Sequence, residues 1–377
     1  MDLGTKEQSL SKGARLPCYD HWGTPACIRL LLSIWLTLMA LQVSAADVVR
    51  VHNWAEYIDP EVLRDFERDT GVKVEYSQFA TAAELEADLA SGKLFDVIVP
   101  TDFQLERLIK AHKLLELDRT KLPNRAEVSD ELLAKLSSKN RADRYVAPYM
   151  WGIAGLVIHE RAAARALQAP VANSWSLLFD PASASRLKSC GAVLHNEPEQ
   201  TLSLYLNYRG RNLRSQSARG IEKATREISD LGIPLGPASF TDLVSQLAEG
   251  RICAAITWNG IASMANQKGE LRFHIPQEGG LMFIDSLAIP SNAPSKALAY
   301  RFIDYMLQPG NAARNARATH FTPSLDLTRE RNRRLLPEIT LPSQEEKRRL
   351  FFLERLSDSQ KRAVDAAWSH LDGRDPT

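Results

Sequence analysis

The sequence predicts an α/β protein of two lobes, hinged by strands that cross between them and enclosing a cleft. Three observations lead there. Strand and helix patterns alternate from Val48 to Pro100, a second such series begins near Tyr149, and no Gly/Ser-rich linker separates the two. The 377 residues leave room for two lobes of roughly 100 to 200 residues each.

The elements follow in order. Residues 48–54 are rich in Val and read as a strand. Asp59-Pro60-Glu61 then opens a helix with a capping side chain, a proline in the first turn and an acid beside it. That helix carries Val62, Leu63 and Phe66 on one face and stops at Gly71. Residues 72–79 return as a strand, 81–90 read as a helix and 95–100 as a short apolar strand. Single helices between strands imply parallel pairing with right-handed crossovers. In the second series, 150–159 reads as one long buried strand, with further strands at 191–194 and 252–258. Helices are expected near 199–208, 218–231 and 240–248. A strand at 283–290 precedes a helix at 295–307, and the charged stretch 329–371 reads as helical, with Leu350, Phe351, Phe352, Leu353 and Leu356 available for burial.

Composition narrows the function. With 47 Lys+Arg against 46 Asp+Glu, 44% hydrophobic and 25% charged residues, the chain is neither disordered nor collagen-like nor a polytopic membrane protein. The net charge of +1 lacks the basic excess of a nucleic-acid binder.

The first 46 residues read as an export signal. Arg29 precedes a charge-free run, 30–46, that ends in Val43-Ser44-Ala45-Ala46 before Asp47. Small residues there fit cleavage after Ala46, or less ideally after Ala45, whereas a retained anchor would use a run close to the minimum that spans a bilayer. Cys27 precedes the run and no Cys follows it at a lipoprotein position, so a free periplasmic protein is expected. Cys18 and Cys27 would leave with the signal, and Cys190 and Cys253 remain as a disulfide candidate in an oxidising compartment. Two buried free thiols are the alternative.

No HExxH, GxSxG, Walker loop, GxGxxG or CxxC is present, and no two of the eight His stand four apart on a helix. The expectation is a binding protein that is not an enzyme and needs no cofactor or metal.

The segment Val51-His52-Asn53-Trp54-Ala55-Glu56-Tyr57-Ile58, with the capped helix and Gly71 after it, resembles the opening of the polyamine-binding periplasmic proteins of ABC importers, the putrescine-binding branch in particular. The resemblance continues through Phe95-Asp96-Val97-Ile98-Val99-Pro100-Thr101, Lys121-Leu122-Pro123, Ala147-Pro148-Tyr149-Met150-Trp151-Gly152 and Lys188-Ser189-Cys190-Gly191. It extends through 252–260 and Ile275-Pro276-Gln277-Glu278-Gly279. It implies a type II periplasmic-binding-protein fold, with 47–149 and 284–322 as the N-terminal lobe and 150–283 and 323–377 as the C-terminal lobe. It also implies a monomer that captures a small cationic amine (putrescine, spermidine or a relative) and delivers it to an inner-membrane ABC permease. The alternative is an amine-derivative sensor that signals to a membrane receptor.

In that family carboxylates hold the ammonium groups and aromatic rings enclose the methylenes. Carried over by position, Trp54 and Tyr57 match the aromatic wall of the first loop, with Glu56 as an acid between them. Thr101 matches a hydroxyl and Phe103 a nearby aromatic or small position, Trp258 the ring of the other lobe, Phe283 and Asp285 an aromatic and an acid, and Phe321 a usual tyrosine. Asp285 is the foremost amine-binding carboxylate. Ala55 replaces a hydroxyl residue, Gln200 a Glu and Ile261 an Asp, while Glu197, about one turn before Gln200, compensates in part. The weakened set predicts looser putrescine binding than in a typical member, with a longer amine or a mono-cationic amine derivative preferred. Without the resemblance, the aromatics would read as core and Glu56 and Glu197 as solvated surface acids. Residues 47–149 carry 20 acids and 15 bases, a modest local field for a cation.

Overall fold

A computed structural model describes residues 47–237 and 239–371; the expected export signal at 1–46 lies outside them. Ten strands belong to one sheet: β1 Val48–Trp54, β2 Lys73–Phe79, β3 Val97–Ile98, β4 Val146–His159, β5 Ala192–Val193, β6 Ala254–Trp258, β7 Leu271–His274, β8 Leu281–Ala288, β9 Thr322–Pro323 and β10 Phe351–Phe352. The main path is β2-β1-β3-β8-β4-β6-β5, while β10 pairs with β8, and β7 and β9 pair with β4.

The opening unit forms as its sequence dictates. Asp59 accepts a hydrogen bond from Glu61 N, Pro60 starts the helix Pro60–Thr70, and Gly71 ends it at φ 70°, a conformation glycine adopts without a Cβ penalty. Val62 and Phe66 are fully buried beneath it, each stabilising the fold by roughly 1.5 to 3 kcal/mol. β1 is parallel to β2 from Val48↔Lys73 to Trp54↔Phe79, and parallel to β3 at Val51↔Val97 and His52↔Ile98.

Two strands tie the molecule together. β4 has fourteen residues and is buried along nearly its whole length, enough to span about 45 Å. Its first part pairs with β8 antiparallel from Val146↔Ala288 to Ala154↔Leu281, and its last part pairs with β6 and β7. Because β8 also meets β3 at Ile98↔Ala288, both strands serve each half. On one side Val49, Val51, Phe66, Val97 and Phe302 share a core, and on the other Leu156, Ile158, Trp175, Leu202 and Trp368 do.

Some expectations are corrected. Of 95–100 only β3 is ladder-paired, because Pro100 has no N–H and Thr101 leaves to start the helix Asp102–Lys110; hydrogen bonds from Asp96 N to Arg50 O and Val99 N to His52 O flank the short strand. The stretch 329–371 is not one helix. Pro337 and Pro342 interrupt it, leaving Glu330–Arg333, Gln344–Arg349 and Asp358–Leu371, with β10 extended between the last two. β10 runs parallel to β8 at Phe351↔Leu281 and Phe352↔Met282. Leu353 and Leu356 are buried, whereas Leu350, Phe351 and Phe352 are half-buried. Before that, Ser129 N donates to Ser324 O and Asp326 N to Glu127 O, so the chain beyond β9 packs first beside 127–129.

Cys190 and Cys253 form a disulfide with Cα atoms 5.6 Å apart, so the free-thiol alternative falls. Among the described residues no helix is long and apolar enough to cross a membrane.

Candidate functional site

Ligand crevices in open α/β sheets lie beyond the carboxyl ends of parallel strands. β1 and β3 are parallel, and so are β5 and β6. The segments leaving these four strands supply most of one cavity: Trp54 to Tyr57 after β1, Thr101 to Phe103 after β3, Glu197 and Gln200 after β5, and Trp258 and Ile261 at and after β6. Phe283 and Asp285 enter it from β8, and Phe321 from just before β9. All twelve residues read from the sequence as ligand contacts therefore line a single cavity. Its volume is about 90 Å³, room for several waters.

The walls are rings. Tyr57 meets Phe321 edge-on at 5.2 Å, Phe321 meets Phe283 at 5.8 Å, and Phe283 meets Trp258 at 6.2 Å. Trp258 is braced by Phe240 at 5.1 Å and His195 at 4.6 Å. Such close rings need absent side chains behind them. A Cβ on Gly152 would lie 2.6 Å from the Phe283 ring, and one on Gly260 2.7 Å from Phe321. Ile261 is buried in the same wall. Trp54 packs on Phe79 at 4.6 Å, and its indole Nε1 is buried without a hydrogen-bond partner among the described residues. Glu56, left-handed at φ 55°, stays exposed and accepts a 3.4 Å hydrogen bond from Thr241 Oγ1, which comes from the helix Phe240–Ala248.

The polar groups are few. Asp285 is buried, and burial pushes its carboxyl up to about 7, with the charge of Asp102 adding to the rise and the hydroxyls of Tyr57 and Thr101 opposing it. Tyr57 Oη is buried beside this carboxyl, near enough to act on it but out of line for a well-formed hydrogen bond among the described residues. Thr101 is bridged to Asp285 through the backbone. Asp102, adjacent and buried, accepts from Ile284 N at 3.1 Å and pairs with Lys139 Nζ at 2.6 Å. Burial raises the Asp102 carboxyl and Lys139 works against that. Lys139 lies 4.1 Å from the centre of the Phe352 ring. Burial likewise lifts Glu197 to about 7, helped by Glu199 and opposed by Lys361. Gln200 Oε1 accepts from Trp258 Nε1 at 3.2 Å.

Sequence reasoning missed Ala82, Asp102, Phe240, Met264, Leu281, Met282 and Leu353, which also line the cavity. Asp102 was legible as the acid after Thr101 at a helix start. Leu353 was not, since only the tertiary pairing of β10 with β8 brings it there. Among the described residues no group of three or more His, Cys, Asp or Glu is placed to hold a metal.

A slot walled by rings, with carboxyls that burial keeps partly protonated, is suited to an organic cation. An ammonium lowers the energy of the ionised acids, and ring faces attract cations by about 0.5 to 2 kcal/mol each.

Comparison with known proteins agrees with this fold. A family model described as bacterial extracellular solute-binding protein matches residues 61–328. The chain is 33% identical over 290 residues to the putrescine-binding periplasmic protein PotF of Escherichia coli (strain K12), covering 72% of this chain and 77% of that protein. It is 31% identical over 360 residues to the putrescine/agmatine-binding protein of Pseudomonas aeruginosa, covering 91% and 97%. A solved structure, the spermidine/putrescine ABC transporter substrate-binding protein PotD of Streptococcus pneumoniae, superposes with a TM-score of 0.67 at 22% identity, covering 87% of this chain and 99% of that one. That likeness establishes the two-lobe fold.

Proposed function

The chain belongs to the bacterial extracellular solute-binding proteins, and from that premise we propose that it is a periplasmic receptor that captures a polyamine in its cleft and delivers it to an inner-membrane ABC permease. Residues 1–46 serve export, and the mature chain works as a monomer. The lobes are 47–149 with 284–322 and 150–283 with the chain from 323 to 377, of which the part just beyond β9 packs back on the first lobe beside 127–129, and they close about β4 and β8.

The observation that carries the reading is Asp285: one buried carboxylate among Tyr57, Phe283 and Phe321 in a cavity at the strand ends. A buried carboxylate without a partner is costly, and a protonated amine relieves that cost by ionising it at contact. The methylenes between charged ends then gain roughly 0.8 kcal/mol per buried CH₂ against the rings. Glu56 stands at the exposed rim, so it contributes attraction at entry more than affinity.

Calorimetric titration with putrescine, spermidine and agmatine tests this. At least one should bind, and Asp285→Asn should weaken that binding by two or more orders of magnitude, as expected when a desolvated charge loses its partner. Tight binding indifferent to Asp285→Asn would remove this site from consideration.

A further inference from the structure

Gln200 and Trp258 stand together in the cavity wall, and their hydrogen bond settles which way the amide faces. Trp258 Nε1 donates to Gln200 Oε1 at 3.2 Å. An indole nitrogen only donates, so the atom facing it has to be the amide oxygen. Gln200 Nε2, with two hydrogens, is then the polar atom this side chain offers to the cavity, and no described residue accepts from it. Ile261, itself buried, lines the same cavity with Phe240 and Met264, as does Glu197. The cleft is therefore chemically two-ended, with an acceptor at Asp285 and donors at Gln200.

We propose that the receptor selects an amine with a single ammonium at one end and a neutral carbonyl acceptor at the other, as in a mono-N-acylated diamine, with Gln200 reading the carbonyl and Trp258 orienting Gln200. This rests on the cleft being an amine site. An ammonium set against the Gln200 amide would meet its N–H donors, whereas a carbonyl oxygen accepts from Nε2. Glu197, three residues earlier, is the competing group: burial lifts its carboxyl to about 7, so it either donates a proton to the same carbonyl or ionises against an ammonium as Asp285 does, and Glu197→Gln should widen the preference for the carbonyl ligand.

Titration calorimetry of the full mature chain with putrescine, spermidine and N-acetylputrescine tests the proposal. The wild type should bind N-acetylputrescine at least about tenfold more tightly than either polyamine, the worth of one well-made hydrogen bond against an unmatched charge. Gln200→Glu keeps an acceptor for the Trp258 N–H and turns the other oxygen to the cavity, so it should invert the order. Gln200→Met, of similar length but without either polar atom, should erase the preference if Gln200→Glu does not fold. Trp258→Phe should narrow it by freeing the amide to turn. Putrescine or spermidine binding as tightly as N-acetylputrescine overturns the inference and leaves amine reception standing. Binding of none of the three overturns both.

Discussion

The raised carboxyl of Asp285 makes amine binding depend on pH, and both sign and size follow from the structure. Unfolded, the acid would lose its proton near 4; in the folded cleft it holds it to about 7. That difference of about three units, at about 1.4 kcal/mol each, makes the ionised form roughly 4 kcal/mol costlier in the cleft than in water. A group raised in this way lends stability fully below pH 4 and loses it as pH climbs through 7. Asp285→Asn mimics the protonated form, so it should exceed the wild type in stability at pH 8 by up to about 4 kcal/mol and match it at pH 4. Binding runs the other way. A protonated amine requires the carboxylate, so below pH 7 each complex releases a proton and affinity falls about tenfold per unit, close to a hundredfold between pH 8 and pH 5. Calorimetry in buffers of different ionisation enthalpy should count about one proton released at pH 6, and urea melts of wild type and Asp285→Asn should converge on acidification. An affinity flat from pH 5 to pH 8, with no proton released, would refute the reasoning.

Other outcomes follow from particular contacts. Reducing Cys190–Cys253 frees a 63-residue loop and should lower stability by about 4 kcal/mol, read as a shift in urea midpoint with and without reductant; an unchanged midpoint would show the bond adds nothing. Gly260→Ala should cost about 1 to 3 kcal/mol and weaken amine binding, since its Cβ would displace Phe321; unaltered melting and affinity would mean the ring moves aside freely. Lys139→Met strands buried Asp102 and should cost about 3 to 5 kcal/mol, with part recovered in Asp102→Asn/Lys139→Met. A double variant no more stable than the single one in thermal unfolding would count against a buried ion pair.

Much of the fold was legible because local and global signals agree. The cap at Asp59, the proline at 60 and the stop at Gly71 each act within a few residues, and the helix Pro60–Thr70 lies between them. The helix Phe240–Ala248 likewise occupies the span its periodicity predicts. Where tertiary pairing decides, the sequence was silent. β10 is two phenylalanines in a charged stretch, and nothing local distinguishes them from a helix face; they are extended because β8 has an edge to fill at Leu281 and Met282.

The site divides along the same line, and the division explains what kind of specificity a sequence can reveal. The residues at strand ends were legible through the family resemblance, and the structure supplies the physical reason: the parallel pairs β1–β3 and β5–β6 aim their ends at the crevice, where Trp54, Thr101 and Trp258 stand. The electrostatic character of the site was not, because it arises between residues far apart in the chain. Asp285 is lifted by burial and by Asp102, which is itself held by Lys139 and the Ile284 N–H. Gln200 acquires a direction only from Trp258, 58 positions away. As a substitution, Gln200 reads as a lost acid and a weaker site. In the structure the amide oxygen of the same residue is held by Trp258 and its N–H groups remain as donors, so on the selectivity proposed above a test confined to diamines would register only the loss.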